Sequence, residues 1–475
     1  MSKFYITTSI PYANAAPHVG HALEFIQADV LARWHRQQGD NVFFLTGTDE
    51  HGTKIAKAAA DAGISPQEFV DKTAVLFQEL AKTLYISNDD FIRTSDQKRH
   101  WPSVNEVWQK LNANGDLYKK QYKGLYCSGC ETFVVEKDLT DGKCAIHQKE
   151  PESVQEENYF FKLSKYSKEI ERVLREGIIK IVPEHKKNEL LRLIGEGLED
   201  VSFSRPIEKL SWGVPVPSDD SQTMYVWADA LTNYISVLGY PNGDTYKKYW
   251  PADVHVVGKD IVRFHALIWP AMLMSLGIAL PKTLFVHGFI TANGQKMSKS
   301  IGNVVDPLEL IEKYGADAVR YFFLREIPPT EDGDFSYEKF EARYNADLAG
   351  GLGNLVARTL ALTKKTTVSA RESFQSKKLA DVTDKAKEKR DQSLQDYRFN
   401  DALVAIWEII HCADKYIEET RPWEEPENKK EIIGDVLLAI LKITNLLEPF
   451  LPTTAHNIEK QVREREGKIL FPRLG

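Results

Sequence analysis

Phe4-Tyr5-Ile6-Thr7-Thr8-Ser9-Ile10-Pro11-Tyr12-Ala13-Asn14-Ala15-Ala16-Pro17-His18-Val19-Gly20-His21-Ala22-Leu23 opens the chain, and the architecture follows from how its residue types are ordered. Phe4 to Ile10 is rich in aromatic and β-branched residues and predicts a buried strand. Pro11, Asn14 and Pro17 mark a loop. Val19, Leu23, Ile26, Val30 and Trp34 then recur at helical spacing until Gly39 stops the pattern. Strand, loop and helix in that order begin an α/β unit.

The same alternation continues outward. Val42 to Thr46 predicts a second strand, and Ser65-Pro66-Gln67-Glu68 is a capping box with proline at the first helical position. Asp253 to Val257 predicts a strand leading into a helix over Ile261 to Leu276, and Leu284 to His287 a further strand. Segment 116–224 differs in character, with a cysteine cluster, short strand-like runs and no βα repeat, and reads as an insertion into the parallel-sheet domain. After about Asn345 amphipathic helices take over, as in Leu403, Ile406, Trp407, Ile410 and in Val436, Ile440, Ile443, Leu447. The expected fold is α/β: a Rossmann-like parallel sheet in 1–115 and 225–283, the insertion between them, a lysine-loop region over 284–345, and an all-α bundle over 346–475.

Composition narrows the function class. The chain has 475 residues, 61 basic and 68 acidic side chains and a net charge of −7, with 43% hydrophobic and 27% charged residues, as expected of a multidomain globular protein. The net charge excludes blanket attraction to polyanions, so an RNA partner needs a local basic surface. The most apolar stretch, Ile261 to Leu280, is broken by Arg263, His265 and Pro270, and the N-terminus lacks the apolar core of a signal peptide. A cytoplasmic protein with no membrane partner is expected. Of four cysteines, three lie between Cys127 and Cys144, which suits a metal site in a reducing compartment. No internal repeat or low-complexity tract is present.

Three groups of residues carry chemistry. His18 and His21, at i and i+3 in the first turn of a helix, share one face where free N–H groups favour an anion, with Gly20 leaving room for a ligand to approach. Read alone, the pair is more readily a local cap or packing contact. Lys296-Met297-Ser298-Lys299-Ser300, bounded by Asn293-Gly294 and Gly302, forms a cationic clamp suited to phosphate oxygens, or an ordinary solvated loop. Cys127-Ser128-Gly129-Cys130, thirteen residues, then Cys144-Ala145-Ile146-His147 supplies three thiolates and one imidazole to a tetrahedral Zn²⁺; four protein ligands leave no open position, so the zinc is structural, the alternative being a redox Cys-x-x-C. A P-loop is excluded at Gly47 to Lys54, where Thr53 separates the glycine from the lysine, and no G-x-G-x-x-G follows a strand.

Taken together, Pro17-His18-Val19-Gly20-His21 and Lys296-Met297-Ser298-Lys299-Ser300 resemble the two signatures of the class I aminoacyl-tRNA synthetases. Ser9 to Asn14, Thr46 to Gly52, Tyr225 to Ala230 and Val257 to His265 resemble the methionine-specific branch of that family over essentially the whole chain. The one departure is Leu231 where the branch more often has proline. The resemblance implies ATP-dependent activation of L-methionine and its transfer to tRNA(Met) for translation. It implies ATP contacts from His18, His21, Glu24, Gly258, Asp260 and Lys299, with His18, His21, Lys296 and Lys299 catalytic and Mg²⁺ accompanying the nucleotide. It places Ile10, Tyr12, Trp227, Ala230, Tyr234, Ile261, His265 and Trp269 around methionine and Asp49 on its ammonium; aromatic rings suit a polarizable thioether. Asn354 and Arg358, at i and i+4, and Trp423 would read the CAU anticodon, since stacking and base-edge hydrogen bonds are how single-stranded loops are recognised. The zinc knuckle would belong to the connective-peptide insertion. The sequence ends at Gly475 without the appended domain that some members use to dimerise, so a monomer is expected. Competing readings are a cysteine or leucine synthetase, a small-molecule nucleotidyltransferase, for which the helical third has no use, and a zinc-knuckle RNA-binding protein, which leaves both phosphate elements unexplained.

Overall fold

The computed structural model describes residues 2–127, 132–134, 139–144, 149–297, 302–364, 368 and 370–475. The chain divides into two compact units. The first comprises 1–17, 38–80 and 87–286, and the second 18–37, 81–86 and 287–475.

The first unit is built on a six-stranded sheet in the order Asp90–Arg93, Asn41–Thr48, Lys3–Thr8, Val254–Gly258, Thr283–His287, Lys180–Val182. Lys3–Thr8 lies in the middle because its side chains are buried on both faces from Phe4 onward, as an interior strand of a parallel sheet requires. It pairs in parallel with Asn41–Thr48, Thr7 opposite Leu45, and with Val254–Gly258, Thr7 opposite His255. Early strands add to one side of it and late strands to the other, which makes the gap beside it a topological switch point. The predicted strands are all present, and Ser65 caps the helix Pro66–Thr83 by accepting the Glu68 N–H at 3.2 Å.

Two features depart from the sequence reading. The helix expected from Ile261 begins with a π-helical turn, Phe264–Ile268, before the regular helix Trp269–Leu276; apolar residues surround the whole stretch, so their spacing does not report the widened turn. Within 116–224, three antiparallel sheets of four, three and two strands are present among the described residues, as expected of a segment without βα repeats. One strand of that segment, Lys180–Val182, instead joins the edge of the parallel sheet beside Thr283–His287. Three residues are too few for a periodicity signal.

The second unit gathers the helix Val19–Gln37, a small sheet of Ile290–Ala292, Gln295–Lys296 and Gly333–Phe335, and the helices that follow. Its centre holds a fully buried Arg320, which bonds Asp29 at 2.8 Å and donates to the carbonyls of Leu84, Pro449 and Phe450. The fork therefore ties the first helix to the turn between Lys429–Leu447 and Pro452–Glu464. Arg320→Met leaves three carbonyls and part of a buried carboxylate uncompensated. Since Arg33 still holds Asp29, the expected cost to this unit is about 3 kcal/mol, the lower end for a broken buried pair. Denaturant unfolding of wild type and variant checks this, and an unchanged midpoint contradicts it.

Candidate functional site

Three adjacent parallel strands of the first unit end on the same edge, and each is followed at once by residues marked in the sequence. Lys3–Thr8 leads to Ile10 and Tyr12, Asn41–Thr48 to Asp49, and Val254–Gly258 to Asp260 and Ile261. Carboxyl ends of strands beside a switch point are where open α/β sheets bind ligands. The first two loops are joined by their backbones: Asp49 N–H donates to Pro11 O and Ala13 N–H to Asp49 O, both at 2.8 Å. Asp49 is thereby fixed beside Tyr12 and buried.

Behind this edge lies an aromatic wall. Tyr234, His265 and Trp269 are buried, with Tyr234 and Trp269 ring centroids 5.9 Å apart. Ala230, with Ile10, Tyr12 and Trp227 packed against its cluster, closes another side. Trp227 stacks on Phe264, centroids 3.5 Å apart and planes 7° apart. The indole N–H groups of Trp227 and Trp269 are buried with no acceptor among the described residues, so two unpaired donors stand in an otherwise apolar wall.

One polar contact in it has a defined sense. His265 Nδ1 lies 3.0 Å from Ile261 O, which only accepts, so Nδ1 carries the proton and Nε2 accepts from the Tyr234 hydroxyl at 2.7 Å. Burial, opposed only weakly by the Ile261 carbonyl, lowers the His265 pKa to about 4. The imidazole is a neutral, oriented group at physiological pH.

In the second unit, the helix Val19–Gln37 begins at the histidine pair. The rings of His18 and His21 stack at 3.9 Å. His18 Nδ1 accepts the Gly20 N–H and His21 Nδ1 accepts the His18 N–H, each at 3.1 Å. With both Nδ1 atoms so engaged, either ring in its neutral form carries its proton on Nε2, a donor suited to phosphate oxygens. Desolvation, reinforced by His18 and His287, holds the pKa of His21 well below its ordinary value. A Cβ at Gly20 would come within 2.9 Å of the His18 ring, so glycine also makes room for the imidazole itself. Glu24 is buried against His287, Oε2 to Nε2 2.8 Å. Lys296 lies in the short strand Gln295–Lys296, and Lys299 lies outside the described residues.

Further along this unit, a second π-helical stretch, Tyr344–Gly353, runs into the helix Asn354–Thr363 that carries Asn354 and Arg358. Arg358 pairs with Asp414 at 2.9 Å and Glu418 at 2.6 Å, and its guanidinium lies 6.0 Å from the Trp423 ring. Trp423 is 45% exposed, an unusual position for an indole that merely closes a helix end.

Residues 4–138 and 134–360 match the family described as tRNA synthetases class I (M), and 376–472 the anticodon-binding domain of tRNA ligase. The chain is similar to the methionine–tRNA ligase of Caldanaerobacter subterraneus, 44% identical over 99% of this chain and 79% of the relative. That of Thermotoga maritima is also 44% identical, over 98% and 76%. The solved structure of Mycobacterium tuberculosis methionyl-tRNA synthetase in complex with methionyl-adenylate superposes with a TM-score of 0.91 at 39% identity, covering 100% of this chain and 98% of that one. The chain belongs to the class I methionyl-tRNA synthetase family.

Of the residues that the synthetase resemblance marks, the structure gathers Ile10, Tyr12, Asp49, Trp227, Ala230, Tyr234, Gly258, Asp260, Ile261, His265 and Trp269 in the first unit. His18, His21, Glu24, Lys296, Asn354, Arg358 and Trp423 fall in the second. Cys127 and Cys144 are buried, at the ends of Leu117–Cys127 and Lys143–Cys144, while Cys130 and His147 lie outside the described residues. Sequence reasoning gave no role to Phe264 or His287. Phe264 lies inside a quoted string, and His287 closes a predicted strand, but only the fold sets them against Trp227 and Glu24.

The His265 geometry has a pH consequence. The folded imidazole resists protonation down to about pH 4, whereas the unfolded one protonates near 6.5. Its contribution is complete above about 6.5 and is lost as pH falls between those values, at up to about 1.4 kcal/mol per unit. Unfolding free energies measured from pH 7 to 4.5 should fall more steeply for wild type than for His265→Gln; parallel curves contradict the assignment.

Proposed function

We propose that the chain activates L-methionine with ATP, giving methionyl-adenylate and pyrophosphate, and then transfers the methionyl group to the 3′-terminal ribose of tRNA(Met). The observation that carries this reading is the strand-end site, where a fixed carboxylate, Asp49, stands before an apolar aromatic wall holding one neutral, oriented imidazole. An ammonium pairs with the first and a thioether packs on the second.

In the first step a methionine carboxylate oxygen attacks the α-phosphorus and the bond to pyrophosphate breaks. In the second, the ribose hydroxyl attacks the activated carbonyl, and AMP leaves. Neither step needs a protein nucleophile, so the protein contributes position and charge. Asp49 anchors the ammonium, with Ile10, Tyr12, Trp227, Ala230, Tyr234, Ile261, His265 and Trp269 around the side chain. Gly258, Asp260 and Glu24 hold adenosine, His18 and His21 donate Nε2–H to phosphate oxygens, and Lys296 and Lys299 bind the pyrophosphate portion. Mg²⁺ accompanies ATP as counter-charge to its phosphates. Asn354, Arg358 and Trp423 read the anticodon, and the ion pairs to Asp414 and Glu418 hold the Arg358 fork in place for it.

Within the same reading, 1–115 and 225–283 form the catalytic domain, 116–224 the connective peptide, 284–345 the stem-contact region and 346–475 the anticodon domain. Cys127, Cys130, Cys144 and His147 hold one structural zinc; the two described thiols are buried at hairpin ends, as a closed thiolate site requires. No described helix is long and apolar enough to cross a membrane.

ATP–pyrophosphate exchange tested with all twenty amino acids should respond to methionine alone; stimulation by another amino acid overturns the specificity. Lys299→Ala should lower exchange about 10²-fold or more, the scale for removing one transition-state donor. Trp423→Ala should lower tRNA charging at least tenfold while exchange persists, and equal losses in both assays would contradict an anticodon role. Metal analysis should find one zinc per chain, lost in Cys127→Ser.

A further inference from the structure

The short helix Val226–Ala230 carries Trp227 and Ala230, and between them Asp229, which no proposed step uses. Its side chain is wholly inaccessible, yet it is a carboxylate placed between two imidazoles. Oδ2 lies 2.7 Å from His51 Nδ1 and Oδ1 2.9 Å from His100 Nε2. His100 continues through Nδ1 to the Ser236 hydroxyl at 2.8 Å. All four side chains are buried in the first unit. Burial raises the pKa of Asp229, but His51 and His100 together lower it further, and the net value lies below the ordinary carboxylate range. A charge is thus kept inside the protein where an apolar residue of similar size would pack at less cost, and such charges are retained where they specify a geometry.

His51 is the other half of that geometry. It follows Asp49 by two residues, and its ring lies against Trp101 and Trp212, centroids 6.0 and 5.4 Å away. Its Nε2 has no partner among the described residues, so Asp229 provides its one directional bond there. Between Asp49 and His51, the fully buried Glu50 accepts from Thr48 Oγ1 at 2.6 Å, from Arg93 Nε at 2.7 Å and from the Ser95 hydroxyl. The two residues that follow Asp49 are therefore both pinned, Glu50 to Arg93 and His51 to the Trp227 helix.

We infer that the His51–Asp229 pair is a positioning device for the amino-acid substrate: it fixes the carboxylate that receives the ammonium relative to the helix that walls the side chain. The inference rests on the proposed methionine site. Because the dyad touches the Asp49 loop and the Trp227–Ala230 helix but not the Gly258–Asp260 turn, it sets methionine binding and leaves ATP binding alone.

The test is methionine-dependent ATP–pyrophosphate exchange with KM measured for both substrates. Wild type comes first, since absence of methionine-dependent exchange there refutes the proposed function rather than this inference. His51→Phe keeps a ring between the two tryptophans but has no donor, and should raise the methionine KM tenfold or more with the ATP KM within threefold of wild type. His51→Gln restores a donor and loses the ring, and should stay within threefold for both. A packing role for His51 predicts the reverse order, with Phe tolerated and Gln damaging, and that result overturns the inference. Asp229→Asn should match His51→Phe; equal rises in both KM values, or a fall in kcat alone, also overturn it. If Asp229→Asn does not fold, the order of the two His51 variants decides.

Discussion

Parallel pairing of Lys3–Thr8 with a strand on each side is the constraint from which the amino-acid site follows. Because neighbouring strands run the same way, their carboxyl ends emerge on one edge, and residues far apart in the sequence are delivered there without any direct bond between them. The backbone bonds of Asp49 to Pro11 and Ala13, which flank Tyr12, then extend that pairing past the sheet and fix by main-chain geometry the carboxylate proposed to bind the ammonium. Side chains complete what the strands begin. The aromatic wall supplies shape and polarizability, and the orientation of His265 is set by a carbonyl four residues earlier, on the turn that leaves the same strand.

The second unit follows a different logic. The two histidines proposed to meet phosphate lie at the start of one helix, where backbone N–H groups occupy both Nδ1 atoms, so that a neutral ring donates from Nε2. Precision there depends on the helix as a whole being held, and Arg320 does this by binding Asp29 from within the core. The energetic logic is that of a buried cation with each of its three nitrogens directed at carbonyl or carboxylate oxygen, where loss of any one partner is costly.

Much of this was legible in the sequence where local rules apply. The strands and the first helix follow from periodicity, the Ser65 cap from its box, and the marked strings from their residue types. What could not be read is what depends on contacts across the chain. His51 and Asp229 both lay in quoted strings, but 178 residues separate them and no spacing rule links them. The π-helical turn at Phe264–Ile268 was hidden by uniform apolarity, and the strand Lys180–Val182 by its shortness. At Gly20 the structure adds a second reason for glycine that the motif did not show: a Cβ there would crowd the neighbouring imidazole. The proposed zinc ligands and Lys299 show the converse, since the sequence states their residue types and spacing while Cys130, His147 and Lys299 lie outside the described residues.

The most direct measurement is a crystal structure of the chain with L-methionine bound. The account predicts the ammonium about 3 Å from the Asp49 carboxylate, at hydrogen-bonding distance, with the thioether against Tyr234, His265 and Trp269. Methionine bound away from the ends of Lys3–Thr8 and Asn41–Thr48, or with its ammonium turned from Asp49, would contradict it.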